Sequence, residues 1–333
     1  MNYDPNAPGK MGTLFGLPFS EDESDVVIYP VPWDVTASYH AGSSKGPQAI
    51  LDASPQLDLE IFGKEPAWKR GIFMKPIERS IFDECMLLRE KTESFRKFFE
   101  RGSSEEEYDD LIEEVNKSSK NLTKRIFENT LELLEKKKVG LVGGDHSVPL
   151  GYIQALSQKH DSFGILQFDA HMDLRESYEG FDQSHASIMF NALKVNAVSK
   201  LVQVGIRDFC EEELRLSTES DRIKTFFQEY LRDSLFTGKS WDELCHEIVD
   251  TLPQKVYISF DIDGLDPSLC PGTGTPVPGG LSFDQAAYLL DQVANSGREI
   301  IGFDLCEVAP MDGDKEWNAN VGARMLYRLI SLL

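Results

Sequence analysis

Three side chains able to hold a metal ion stand at alternate positions in one short run of this chain: Asp169, His171 and Asp173. The apolar stretch before them, residues 164–167, reads as a buried parallel strand. Alternate residues of a strand point the same way, so the three are expected to converge near the strand's end. A second acidic pair, Asp261 and Asp263, follows the apolar run 255–258 in the same manner. Two acidic clusters at two strand ends are what a two-metal hydrolase needs. A third group, Gly143-Gly144-Asp145-His146-Ser147, follows a strand ending at Val142. Its glycines permit a tight turn with backbone close to a ligand, which places His146 at a carboxyl end near a helix start. Alone, His146 reads equally as a hydrogen-bonded core histidine and Asp145 as a helix cap. Three ligand-type side chains in five residues are harder to explain as structure, because each buried polar group would need its own hydrogen bond.

Together the three groups supply two histidines and four carboxylates. That mix suits a borderline divalent ion such as Mn²⁺ better than a structural Zn²⁺ or a histidine-poor Mg²⁺ site. Two ions per subunit, about 3.5–4 Å apart, would activate a shared water. Asp266 reads as a turn residue with Pro267. The Gly- and Pro-rich run 271–280 reads as a fixed wall of the site.

Strands expected at 138–142, 163–168, 201–204, 223–227, 255–260 and 299–304 must position these residues, after a first strand within 25–32. Helices expected at 147–158, 185–192, 211–216, 241–251, 282–296 and 318–332 lie between or after them, and another starts at 44–51. This alternation predicts one three-layer α/β/α domain over residues 1–333 with a mostly parallel sheet. Ligands of such sheets bind at the carboxyl ends of the strands. Residues 1–24 are expected to wrap over the surface. Residues 76–137 read as an acidic helical insertion, with a loop and helix start at 103–107. It is either a lid, an oligomer contact or a solvated appendage.

The chain has 333 residues, 41% hydrophobic and 27% charged, with a formal net charge of −22. So acidic a surface argues against nucleic acid or an anionic membrane as partner. Five scattered cysteines without CxxC spacing fit a reduced, cytoplasmic setting. No secretory signal or membrane-spanning run is evident.

GGDHS, DAHMD and SFDIDGLDP, in this order, resemble the signatures of the ureohydrolase family of arginases and agmatinases, over roughly residues 25–330. The resemblance implies that His146, Asp169, His171, Asp173, Asp261 and Asp263 hold two manganese ions, and that the protein is a homo-oligomer, a trimer or hexamer. It matches His185 to a proton shuttle beside the metals, and Glu307 to the carboxylate that grips the substrate's guanidinium. Asp173 then serves also as proton acceptor, and His185, with an ordinary imidazole pKa, as relay to the departing amine.

The resemblance implies hydrolysis of a small cationic guanidino compound to urea and an amine. The reading is agmatine to putrescine, in polyamine metabolism. Arginases carry an asparagine where this chain has Arg175, which speaks against arginine. Arg175 either pairs internally with Glu176 or Glu179, or offers its guanidinium to a carboxylate, which keeps guanidino acids of the guanidinobutyrate type in play. Arginase, formiminoglutamase and amide deacetylase activities stay open at the level of sequence, as does a non-catalytic role that keeps only the fold.

Overall fold

The structure, a computed structural model, describes residues 4–99 and 108–333. Eight strands form one wholly parallel sheet: β1 (Val26–Pro30), β2 (Ile72–Met74), β3 (Lys138–Val142), β4 (Phe163–Phe168), β5 (Val198–Ile206), β6 (Ile223–Phe227), β7 (Lys255–Asp261) and β8 (Glu299–Cys306). Their order is β2-β1-β3-β8-β7-β4-β5-β6. The central strands are Val-, Ile- and Leu-rich and buried on both faces, as parallel strands under two helical layers must be. Alternate residues separate cleanly. Val26 and Ile28 join one core, with Leu166, Phe168, Ile258 and Phe260. Val27 and Tyr29 join the other, with Ile165, Leu201 and Tyr257.

Helices α1 (Gly46–Ala53), α7 (Gln228–Phe236), α8 (Trp241–Asp250), α9 (Phe283–Asn295) and α10 (Trp317–Ile330) cover the first face. Helices α2 (Arg79–Phe99), α3 (Asp109–Leu133), α4 (Leu150–Leu156) and α5 (Ile188–Ala192) cover the second. A short α6 (Glu211–Glu219) follows β5. Phe168 and Phe260, in register on β4 and β7, stack at 4.9 Å beneath the strand ends. Truncating either to Ala should cost about 3–5 kcal/mol.

Two expectations change. Within the segment 1–24, residues 4–24 do not simply wrap the surface: Leu14, Phe15 and Leu17 are buried, and Phe15 meets the Tyr327 ring edge-on at 5.0 Å. Nor are α2 and α3 a solvated appendage, since Ile81, Cys85, Leu88, Val115 and Ile126 belong to the second core. Helical spacing of apolar residues amid the charges of this segment is what allows one face to be buried. The helix start expected at 103–107 lies outside the described residues.

Candidate metal centre

β4 stops at Phe168, so Asp169, His171 and Asp173 do not converge by strand alternation. Local turns bring them together. The His171 amide donates to Asp169 Oδ1 at 2.7 Å, and Asp173 adopts a left-handed backbone with φ 55°. Aspartate tolerates that conformation better than most residues. The second pair behaves alike: Asp261 ends β7, and Asp263 sits in the 3-10 turn Ile262–Gly264, donating its amide to Asp261 Oδ1 at 2.9 Å. Asp263 Oδ1 also accepts the Ala170 amide at 3.0 Å, which locks the two strand ends together.

His146 closes the cluster from the end of β3. No helix starts beside it, because α4 begins only at Leu150, after Pro149 restricts the residue before it. The preceding glycines serve packing rather than close approach to a ligand. A Cβ at Gly144 would lie 1.9 Å from the Trp33 carbonyl oxygen. Asp145 is fully buried and accepts from Thr36 Oγ1 at 2.9 Å and from the Ser147 amide at 3.1 Å. Asp266 makes the expected turn, accepting the Ser268 amide at 2.8 Å.

All six expected ligands meet at the carboxyl edge of the sheet. Ligand atoms of His146, Asp169 and Asp261 form one group and those of Asp169, His171 and Asp263 a second, each within 4.8 Å of one another. Asp169 belongs to both. Asp173 Oδ2 lies 2.9 Å from His146 Nδ1, and Asp263 Oδ2 lies 3.1 Å from His171 Nδ1. So dense a set of buried carboxylates cannot all remain charged without a cation. Burial, then the charges of Asp263 and Asp169, push Asp261 well above the usual carboxylate range; burial and Asp169 push Asp173 to about 7. Burial opposes the charged form of His146 and His171, yet the facing carboxylates hold both well above the ordinary imidazole value. Asp263 Oδ2 is buried without a hydrogen bond of sound geometry. Imidazole and carboxylate donors in two overlapping groups fit a pair of borderline divalent cations.

A row of polar residues, in register across five neighbouring strands, lies under this cluster: Thr225, Gln203, Gln167, Ser259 and Asp304. Thr225 Oγ1 donates to Gln203 Oε1 at 2.8 Å, Gln203 Nε2 to Gln167 Oε1 at 2.7 Å, and Gln167 Nε2 to Asp169 Oδ2 at 2.8 Å. Ser259 Oγ is 2.8 Å from His146 Nε2, and Asp304 Oδ1 is 3.7 Å from the same nitrogen. The row thus holds Asp169 and turns His146 Nδ1 toward the carboxylates, as partners behind metal ligands do. Sequence reasoning missed it, although an amide within an apolar strand is itself a signal.

Glu307 follows β8 with φ 65°, a conformation costly for glutamate. Its amide donates to the Gly144 carbonyl at 2.7 Å, and its Oε1 accepts the His146 amide at 3.0 Å. Oε2 is buried without a hydrogen-bond partner, and a Cβ at Gly274 would sit 3.0 Å from it. Burial and the neighbouring Asp145 push the Glu307 carboxyl well above its usual range, as expected of a carboxylate waiting for a cation.

Beside the cluster a cleft of about 190 Å³ is lined by Ser38, Asp173, Arg175, Tyr178, His185 and Glu213, among others. His185 Nε2 is 3.3 Å from Ser38 Oγ, while its Nδ1 has no hydrogen-bond partner. Burial, then Arg96 and His171, push its pKa down to about 3. The expected ordinary imidazole pKa is corrected accordingly: His185 rests neutral, because burial and the nearby cations disfavour a further charge. Arg175 pairs with neither Glu176 nor Glu179. Its Nε lies 3.8 Å from Glu213, and its guanidinium stands 5.1 Å from the Tyr178 ring centre. Glu179 is taken by Arg96 at 2.6 Å. A separate cleft of about 450 Å³, beside Tyr29 and Lys75, includes none of the expected site residues.

A sequence model of the arginase family matches residues 24–331. The chain is 32% identical over 315 residues to the N(1)-aminopropylagmatine ureohydrolase of Thermus thermophilus, covering 93% of this chain and 91% of the relative. It is 28% identical over 314 residues to the agmatinase of Bacillus subtilis, covering 93% and 92%. The solved structure of the proclavaminate amidino hydrolase from Streptomyces clavuligerus superposes with a TM-score of 0.74 at 21% identity, covering 99% of this chain and 98% of that one. That likeness establishes the shared fold.

Proposed function

Because the chain belongs to the arginase family, we propose that it hydrolyses a guanidino compound to urea and an amine, with agmatine as substrate and putrescine as product. The observation that carries this reading is the pairing of two ligand groups sharing Asp169 with a buried carboxylate, Glu307, whose Oε2 is free. Two manganese ions would be held by His146, Asp169, His171, Asp173, Asp261 and Asp263. Bound there, they would make water nucleophilic at neutral pH and stabilise developing negative charge.

The chain's own groups do the rest. Glu307 accepts guanidinium N–H groups and fixes the plane of the cation, which sets the guanidinium carbon beside the cluster. Asp173 takes up the proton shed by the attacking water. His185, neutral at rest and in contact with Ser38 through Nε2, relays a proton: one ring nitrogen accepts while the other gives its own toward the nitrogen of the departing amine. A guanidinium ion and water give urea and an ammonium ion, so no net proton is exchanged. Asp208, exposed at the rim of the cleft, suits a cationic tail such as that of agmatine. Arg175 in the same cleft favours a second reading, a guanidino acid whose carboxylate it would meet. The family reading carries with it the expectation of a cytoplasmic trimer or hexamer. Among the described residues no helix is long and apolar enough to cross a membrane.

The test is urea release by Mn²⁺-loaded protein from agmatine, aminopropylagmatine, arginine, guanidinobutyrate, formiminoglutamate and guanidine. Preference for agmatine is the expected result. Preference for guanidinobutyrate would instead make Arg175 the carboxylate anchor, and silence on every compound would overturn the reading.

A further inference from the structure

One stripe of α2 faces a single loop. Cys85, Arg89, Thr92 and Arg96 recur at helical spacing and lie on one side of the helix. Opposite them runs the segment 34–37, which follows β1 and leads to Ser38. Four consecutive carbonyls of that segment are each taken by a side chain of the stripe. Arg89 Nη1 donates to the Asp34 carbonyl at 2.9 Å and to the Ala37 carbonyl. Thr92 Oγ1 donates to the Val35 carbonyl at 3.1 Å, and Arg96 Nη2 to the Thr36 carbonyl at 3.1 Å. Cys85 Sγ adds a contact to Asp34 Oδ1 at 3.2 Å. Both guanidinium groups are nearly inaccessible, with Arg89 5% and Arg96 8% exposed. Arg96 Nη1 is buried without a hydrogen-bond partner, so this guanidinium is held through Nε to Glu179 and Nη2 to the Thr36 carbonyl, its charge met by Glu179.

The held segment reaches the site directly. Thr36 Oγ1 accepts the His185 amide at 3.1 Å and donates to Asp145, the neighbour of His146. Ser38 Oγ meets His185 Nε2. Arg96 also grips a second segment beside the cleft, since its Nε pairs with Glu179 at 2.6 Å. Glu179 has φ 53° and follows Tyr178, whose ring lies edge-on to His185 at 5.9 Å. Two segments that line one wall, 34–38 and 178–185, are thus tied to the same arginine.

We infer that the Cys85–Arg89–Thr92–Arg96 face of α2 is a positioning surface for the substrate cleft, with Arg96 coupling its two wall segments. The effect on substrate rests on the ureohydrolase reading; the coupling itself does not. Lysine at position 96 keeps the charge but lacks the fork that serves Glu179 and Thr36 together.

The experiment compares wild-type, Arg96→Lys, Glu179→Gln, the double variant and Thr92→Val as Mn²⁺-loaded full chains. Amide hydrogen exchange should quicken in Arg96→Lys within both 34–38 and 178–186 and nowhere in β4 or β7. Thr92→Val, which removes one bond to the Val35 carbonyl and should fold, should quicken exchange in 34–38 alone. Metal content should match wild type in each. For whichever guanidine the wild type hydrolyses, kcat/KM should fall about 10- to 100-fold in Arg96→Lys. Most of that loss should lie in KM, and the double variant should be no worse than Arg96→Lys. Unchanged exchange at both segments, or activity lost in step with metal, would overturn the inference. If the wild type hydrolyses no guanidine, the ureohydrolase reading fails, and the exchange pattern still decides the coupling.

Discussion

The floor of the candidate centre and the wall beside it are held in different ways. The floor is a row across the sheet, Thr225-Gln203-Gln167-Ser259-Asp304, whose members are neighbours because parallel strands share one register. The ligands above it are set by turns of two to four residues at the strand ends. The wall is made of loop segments that reach position only through contacts from a distant helix, such as Arg89 to Asp34, 55 residues apart in sequence. A site built this way keeps its reacting groups rigid and leaves its substrate-facing surface free to vary.

The largest effect should come from breaking the candidate ligands that the floor supports. Asp261→Ala removes a carboxylate from one ligand group, and its urea release should fall by at least ~10³-fold. Its circular dichroism should remain that of the folded protein, since burial already weighs against this charge. An Asp261→Ala enzyme of normal activity would falsify the metal assignment. Glu307→Gln should come next. It keeps the volume but loses the charge-assisted bonds to a guanidinium, a loss of roughly 2–5 kcal/mol in kcat/KM. Metal content measured by elemental analysis should not change.

Gln203→Leu tests the floor from below. It breaks the link from Thr225 to Gln167 and leaves Gln167 Oε1 unpaired, costing about 1–3 kcal/mol in chemical denaturation. Affinity for Mn²⁺ should weaken about 10- to 100-fold. The same substitution should leave exchange in 34–38 untouched, which separates floor from wall.

The smallest effect concerns pH. His185 is neutral in the folded protein down to about 3, against an ordinary value of 6.5. Between those values the unfolded chain binds the extra proton, so stability rises with pH and its contribution is complete above 6.5. The contribution drains as pH falls through that window. His185→Asn should flatten that part of a denaturation-midpoint profile measured between pH 4 and 7. An unchanged profile would show that His185 does not feel Arg96 and the buried wall as described.

Much of the frame is legible in the sequence. The expected strands at 138–142, 163–168 and 223–227 coincide with β3, β4 and β6, because apolar β-branched runs leave few other conformations open. β2 escapes such a reading because three residues carry no period. α7 escapes it because it follows β6 with no turn residue between them. Ser282 and Ser240 cap α9 and α8 near the expected starts, each with its capping box. The six candidate ligand residues are legible as types at spacing. Strand alternation predicts their convergence for the wrong reason, since Asp169 and Asp263 lie beyond their strands and are gathered by side-chain-to-amide turns.

The amino-acid sequence by itself determined the parallel sheet, the candidate ligand set and the strand ends that carry it. Each of these is local: a run of apolar residues, a turn, a few side chains a short distance apart. The tertiary structure alone decided that α2 is part of the site, that Arg175 faces Glu213, and that His185 is neutral. The reason is physical. Arg89, Thr92 and Arg96 bind backbone carbonyls, which every residue possesses, so nothing in the identity of residues 34–37 marks them as partners. The state of His185 depends on how deeply the fold buries it and which cations it brings near.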